Sequence, residues 1–364
     1  MKLTISFLTI FIIVVLNIVN GQNLFSGPEC VSFDSLNNRY IVCNWTDGNV
    51  IAVDSAGNHS YFVKGLGHAY GNCILDSTIF VSNGTSIFGF NLFNPEDTLF
   101  TMQVPAAQQM DGMTTDNNHN LYVVDVVKAA IFKINLINKT STIFATGLST
   151  RPQDVIYDEK NNRLLVCSWY SNSPIQAVSL NDSSVTDLVN TSYGNCDGLA
   201  MDENGNVYFS TWTNNSIYYY DSTFTNPPIK LSGGHSGPAN ICYNFRDRKI
   251  IVPSFNSNSL QYVQLTPVQT KDETSIPAEF ELLQNYPNPF NPETKITYHV
   301  PKESQVVLKV YNVLGSCIQT LVDEFQQIGY HSVEFKPGEL SSGMYFYTLT
   351  VEEYSHTRKM LYIK

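Results

Sequence analysis

Short runs of alternating apolar and polar residues fill most of this chain, and they return at a nearly constant interval. Each unit opens on a short strand, with Asp or Asn five residues after the opening pair's second member. A turn and a second apolar strand follow. The opening pairs are Pro28-Glu29, Tyr70-Gly71, Met110-Asp111, Pro152-Gln153, Cys196-Asp197 and Pro238-Ala239. Their second members stand 42, 40, 42, 44 and 42 residues apart. The second strands are Arg39–Val42, Thr78–Val81, Leu121–Val124, Arg163–Val166, Val207–Ser210 and Lys249–Val252. Asn-rich turns between them supply residues that accept the positive φ of tight hairpins. Two further short strands complete each unit, as in Ala130–Asn135 and Thr140–Phe144.

Four short strands in about 40 residues are the pattern of a propeller blade. Six units fit into residues 22–268, and a closed ring leaves no long strand edge unpaired. The expectation is all-β: a six-bladed β-propeller. Its sixth blade is short of strands after Leu265, and the segment before Gly27 is available to complete it. Residues 269–281 carry no apolar period and read as a linker. From 282 to 364, Pro/Asn punctuation around about seven alternating strands predicts a small β-sandwich.

The N-terminus begins Met1-Lys2 and continues in an apolar run from Leu3 to Val19. The run has the length of a signal-peptide core, so residues 1–21 read as a signal peptide cleaved after Gly21. An uncleaved anchor is the rival reading; no other stretch is apolar enough to span a membrane. Six of the seven cysteines precede residue 270. Cys30 and Cys43 flank a hairpin and face each other across it, either as a disulfide or as buried thiols.

Charged residues make up only 15% of the chain, and the net charge is −11. An acidic chain without a basic cluster is a poor partner for nucleic acid. It suits a hard divalent cation of the calcium type. Residues that open the innermost strands should ring one mouth of the central channel, which brings Glu29, Asp111 and Asp197 together with Gln153 between two of them. Oxygen donors so grouped suggest metal ligands; capping of local turns is the alternative. Capping is the better account of Asn72, Asp154 and Asn240, one position later. Trp45, Trp169 and Trp212 share one repeat position, with Phe255 nearby, and crown the same face. Such rings suit a sugar or another flat ligand, or else they seal blade against blade. His68 and His235 precede opening pairs and are candidate bases at the mouth. No Ser-His-Asp order, zinc spacing or phosphate loop is present.

Two resemblances add to this. The string Leu283–Pro292, Thr294–Tyr298, Val310–Gly315, Gly329–His331, Ser342–Tyr347 and Lys359–Lys364 is similar to type A sorting domains of type IX secretion. It implies passage through the periplasm of a Gram-negative bacterium and recognition of residues 282–364 by the secretion machinery. The product is then secreted or held at the outer-membrane surface.

The propeller resembles the gluconolactonase/senescence-marker-protein group and related NHL-repeat and strictosidine-synthase-like propellers. Asp197–Asp202 carries the likeness to that group's Pro-Asp-Gly-Met motif, with Cys196 in place of Pro. By register, Glu29, Asp111, Gln153 and Asp197 fall on the group's metal positions. The departures are the order Gly27-Pro28-Glu29, the loss of both Asn ligands, and Gln109 where the group has Arg.

The resemblance implies a secreted, metal-dependent hydrolase of lactones or similar esters, with Asp197 as proton acceptor. The competing expectation is a non-catalytic propeller that binds glycan or protein at the cell surface.

Overall fold

A computed structural model describes residues 22–116, 118–265, 280–285, 288–352 and 354–364. The expected signal peptide and most of the expected linker therefore lie outside the described residues. The chain divides into two compact units at Leu265. Among the described residues no helix is long and apolar enough to cross a membrane.

The first unit is a ring of six antiparallel sheets, five of four strands and one of three. The innermost strands are Pro28–Asp34, Asn72–Leu75, Met110–Thr115, Pro152–Asp158, Cys196–Met201 and Cys242–Asn244. In five of the six blades the inner hairpin is capped by the repeat's recurrent acid or amide, as its place before a tight turn requires. Asp34 and Asp158 accept from Arg39 Nε and Arg163 Nε at 2.8 and 2.7 Å. Asp202 accepts from Tyr208 Oη at 3.0 Å, and Asn244 Nδ2 donates to Tyr40 Oη at 2.7 Å. Apolar second-strand residues such as Ile41, Ile79, Leu121, Leu165, Phe209 and Ile250 are wholly buried between blades.

Blade 6 differs from expectation. Residues 22–27 add no fourth strand to it; they form an irregular segment pinned to its turn. Asn23 Nδ2 donates to the Asn258 carbonyl at 2.9 Å, and Asn258 Oδ1 accepts from Gly27 N at 2.7 Å. Phe25 packs into the seam with Val53 and Ile251. The ring closes between blades 6 and 1 through Asn240 N, which donates to the Glu29 carbonyl at 2.9 Å. Arg246 ties the hairpins of the same two blades, donating to Asn38 Oδ1 and the Ser35 carbonyl at 2.7 and 2.9 Å.

The second unit is a β-sandwich. One sheet holds Glu281–Leu282, Thr294–Val300 and Gly329–Phe335. The other runs in the order Cys317–Gln326, Ser304–Asn312, Gly343–Val351 and Tyr354–Tyr362. Between them Phe290, Ile296, Tyr298, Leu308, Phe335 and Tyr347 form the core. Tyr347 Oη donates to the Leu283 carbonyl at 2.8 Å and accepts from Asn285 N at 2.6 Å. That pair of bonds explains why the opening motif and the Ser342–Tyr347 strand occur together.

Candidate functional site

Four of the six innermost strands carry a β-bulge, and each bulge falls on a residue singled out from the sequence. The register slips at Glu29, at Asp111-Gly112, at Gln153 and at Asp197-Gly198. A bulged residue has no partner across the ladder and its side chain is re-aimed, here toward the mouth of the channel. The neighbouring blade holds the bulged backbone in place. Ser82 Oγ donates to the Asp111 carbonyl at 3.0 Å and Cys167 Sγ to the Asp197 carbonyl at 3.4 Å, and Ser210 Oγ makes the like bond to the carbonyl of the unbulged Ala239 at 2.9 Å.

Glu29, Asp111 and Asp197 converge closely enough to govern one another's ionisation. Burial, then the charges of Asp197 and Asp111, hold the Glu29 carboxyl well above its ordinary range. Burial, then Asp197 and Asp154, do the same to Asp111. Burial raises Asp197 to about 7, opposed by the Trp212 indole and assisted by Asp154. Glu29 keeps some solvent contact while Asp111 and Asp197 are buried. No Lys or Arg is among the causes acting on the three acids. Gln153 is buried too, with its Nε2 on the Arg151 carbonyl at 3.4 Å.

These acids do not cap local turns; that task falls to the residues five positions later. Asn72, Asp154 and Asn240, expected to cap turns, instead link blades. Asp154 accepts from its neighbour Val155 N and from Leu199 N of blade 5, both at 2.8 Å. It also takes a bond from Asn240 of blade 6 and is held at about 7 by burial. One carboxylate thus bridges three blades beneath the mouth. Gly112 makes room for it, since a Cβ there would lie 2.3 Å from Asp154 Oδ1. Asn72 donates to the Ile41 carbonyl at 3.2 Å and accepts from Ser32 Oγ at 2.6 Å. Sequence alone ranked these residues low because their partners are about 30 to 86 positions away.

Above the acids the aromatic residues form a continuous arc. Trp169 meets Trp212 at 5.1 Å between ring centroids, Trp212 meets Phe255 at 5.7 Å, and Phe255 meets Trp45 at 6.0 Å. The arc continues from Trp45 to His68 at 5.3 Å and from His68 to Tyr70 at 5.8 Å. His68 Nδ1 donates to the Trp45 carbonyl at 2.9 Å. The arc and the acids are one site: Trp212 borders Asp197, and the Tyr70 hydroxyl is pushed up by burial and by Asp111 and Glu29. At the corresponding positions blades 2 and 3 carry Gly84 and Val126, so the arc is open there. Gly27 and Gly237, both at positive φ, let the rings approach; a Cβ would sit 3.0 Å from Phe255 and from Trp212 respectively.

His235 lies elsewhere. It is buried between blades 5 and 6, bonded to Ser232 Oγ at 2.7 Å and to Gln261 Oε1.

Residues 284–364 match the secretion system C-terminal sorting domain family. The chain is therefore exported through the type IX system to the cell surface or the medium. No curated protein matches the sequence significantly. Among solved structures, a gluconolactonase from Xanthomonas campestris shares 11% identity at TM-score 0.56, over 67% of this chain and 88% of that one. A Bacteroides thetaiotaomicron protein of unknown function shares 12% at TM-score 0.53, over 65% and 69%. A virginiamycin B lyase from Staphylococcus aureus shares 13% at TM-score 0.52, over 77% and 94%. At such identities the likeness shows the propeller fold alone.

Among the described residues no three His, Cys, Asp or Glu side chains are placed to hold one cation, although a hard ion needs several oxygens close around it. What the mouth offers is a set of buried acceptors. Asp111 takes a backbone hydrogen bond from Gly112, and among the described residues the buried Trp212 Nε1 beside Asp197 has no partner.

Proposed function

We propose that this protein is an exported propeller that captures a glycan or a similar hydroxyl-rich, partly flat ligand at the mouth of its channel. One observation carries the reading: an arc of aromatic rings across blades 4, 5, 6, 1 and 2 stands over buried carboxyl groups and the unpartnered indole N–H of Trp212. Aromatic faces take the apolar face of a sugar ring. Ligand hydroxyls can donate to the Asp111 and Asp197 carboxyls and to the Gln153 amide oxygen, and a buried polar group left without a partner is costly. Trp212 Nε1 offers one donor in return.

A second reading has one specific support. Asp197 is held at about 7, the range in which a carboxylate works best as a general base near neutral pH. In that reading it takes a proton from water as the water attacks a lactone or ester.

All three tryptophans of the chain lie in the mouth, so intrinsic fluorescence reports on this site alone. Titration with oligosaccharide fragments and with lactones, followed in parallel for hydrolysis, tests both readings. A saturable fluorescence change without turnover supports binding. Turnover abolished by Asp197→Asn supports hydrolysis, and silence in both channels refutes the mouth as a site.

A further inference from the structure

Cys30 and Cys43 stand directly opposite each other on the first two strands of blade 1. Among the described residues no other two cysteines are register partners. The two thiols are close enough to influence each other's ionisation, and both are buried. Their shared face is covered by blade 2, whose Asn72 Nδ2 lies 3.3 Å from Cys43 Sγ. The other inner-strand thiols look elsewhere: Cys167 Sγ donates to a backbone carbonyl and Cys196 Sγ lies 4.0 Å from Thr191 Oγ1.

We infer that Cys30 and Cys43 become a disulfide during export, locking the hairpin that carries Glu29. Directly opposed residues of an antiparallel pair fall within the Cα separation a disulfide requires. Export takes the chain through an oxidising compartment, where such bonds persist. The two thiols lose two protons and two electrons. An incoming disulfide of the thiol-oxidant class accepts them and leaves as two thiols.

Order matters. Burial, then its neighbour Cys43, hold the Cys30 thiol well above its ordinary range, and both sulfurs are shut off from an oxidant in the folded blade. The bond forms on the nascent hairpin, before blade 2 covers it. The hairpin is local in sequence and forms early. A chain that folds reduced is then trapped reduced, and its redox state records where it folded.

The exported protein recovered from culture medium is unfolded without reductant, alkylated and digested. The expected result is a linked peptide containing Cys30 and Cys43, lighter by two hydrogen atoms than the separate pair. Alkylation of both residues, or linkage of either to a different cysteine, overturns the proposal. In a second measurement, protein refolded with glutathione disulfide is compared with protein refolded in reductant. The oxidised form should melt higher by roughly 5 °C or more. Glutathione disulfide added only after reduced refolding should produce no bond. Equal melting temperatures, or ready oxidation of the folded chain, contradict the mechanism.

Discussion

The Trp212 indole nitrogen borders the Asp197 carboxylate in the propeller mouth, yet the two do not close a hydrogen bond of normal geometry. Both belong to blade 5, one on the bulge of the innermost strand and the other in the loop after the second. Each is left with unmet bonding capacity in a place a ligand can enter.

Charge at Asp197 should cost stability, with a sign set by its raised pKa. Between the ordinary carboxylate range near 4 and about 7, the folded state keeps a proton that the unfolded chain has released. Stability therefore falls as pH rises through that window and levels off above about 7. Asp197→Asn removes the group and eases the ionisation of Glu29, whose pKa Asp197 raises. Relative to wild type the variant should gain on the order of 1–3 kcal/mol from pH 4 to pH 8. Urea unfolding of both proteins across that range measures it. His59 and His235, lowered by burial, titrate in both and cancel in the difference.

Trp212→Ala should weaken a saturating mouth ligand by about tenfold or more, because a stacked aromatic face contributes roughly 1–3 kcal/mol of burial. Trp45→Ala, at the more exposed part of the arc, should cost less. Fluorescence of the remaining tryptophans follows both. Equal, negligible losses would return the arc to a purely structural role.

Gly112→Ala should be severely destabilising. Its Cβ would lie 2.6 Å from both the Asp154 Cα and the Gln153 carbonyl oxygen, and backbone cannot step aside as a side-chain end can. A loss of about 3 kcal/mol or more is expected. Gly84→Ala has open space around it and should cost only the strain of its positive φ. Thermal melts of the two variants side by side make the comparison.

Calcium at millimolar concentration should leave the melting temperature unchanged within about 1 °C, because binding stabilises only in proportion to occupancy. A rise of several degrees that Asp197→Asn abolishes would show that the acids close around an ion on binding.

Removing residues 282–364 should leave the propeller folded and hold it in the periplasm. Tyr347→Phe should act more mildly. It loses the donor to the Leu283 carbonyl and the acceptor for Asn285 N, a change of about 1–3 kcal/mol in the sorting domain. Immunoblots of periplasm, cell surface and medium separate these outcomes.

The sequence by itself determined the ring of six. Strand period, turn chemistry and a repeat of about 42 residues are local properties, and Asp34, Asp116, Asp158 and Asp202 announce their hairpins because their partners lie within six positions. It determined the sorting domain in the same way, through motifs such as Ser342–Tyr347 set at fixed places along one strand. It also placed Glu29, Asp111 and Asp197 at one mouth, since equal repeat positions meet at the axis of a ring.

Only the tertiary structure decided what stands between them. Whether acids share an ion depends on separations of an ångström or so, set by bulges that an unbroken strand pattern does not reveal. Asp154 looks like a turn cap until Leu199 and Asn240, some 45 and 86 positions on, are folded against it. His68 and His235 read alike in sequence, and the fold set one in the aromatic arc and the other in a seam. Blade 6 stayed three-stranded because residues 22–27 found their partners in the turn at Asn258 rather than along a strand edge.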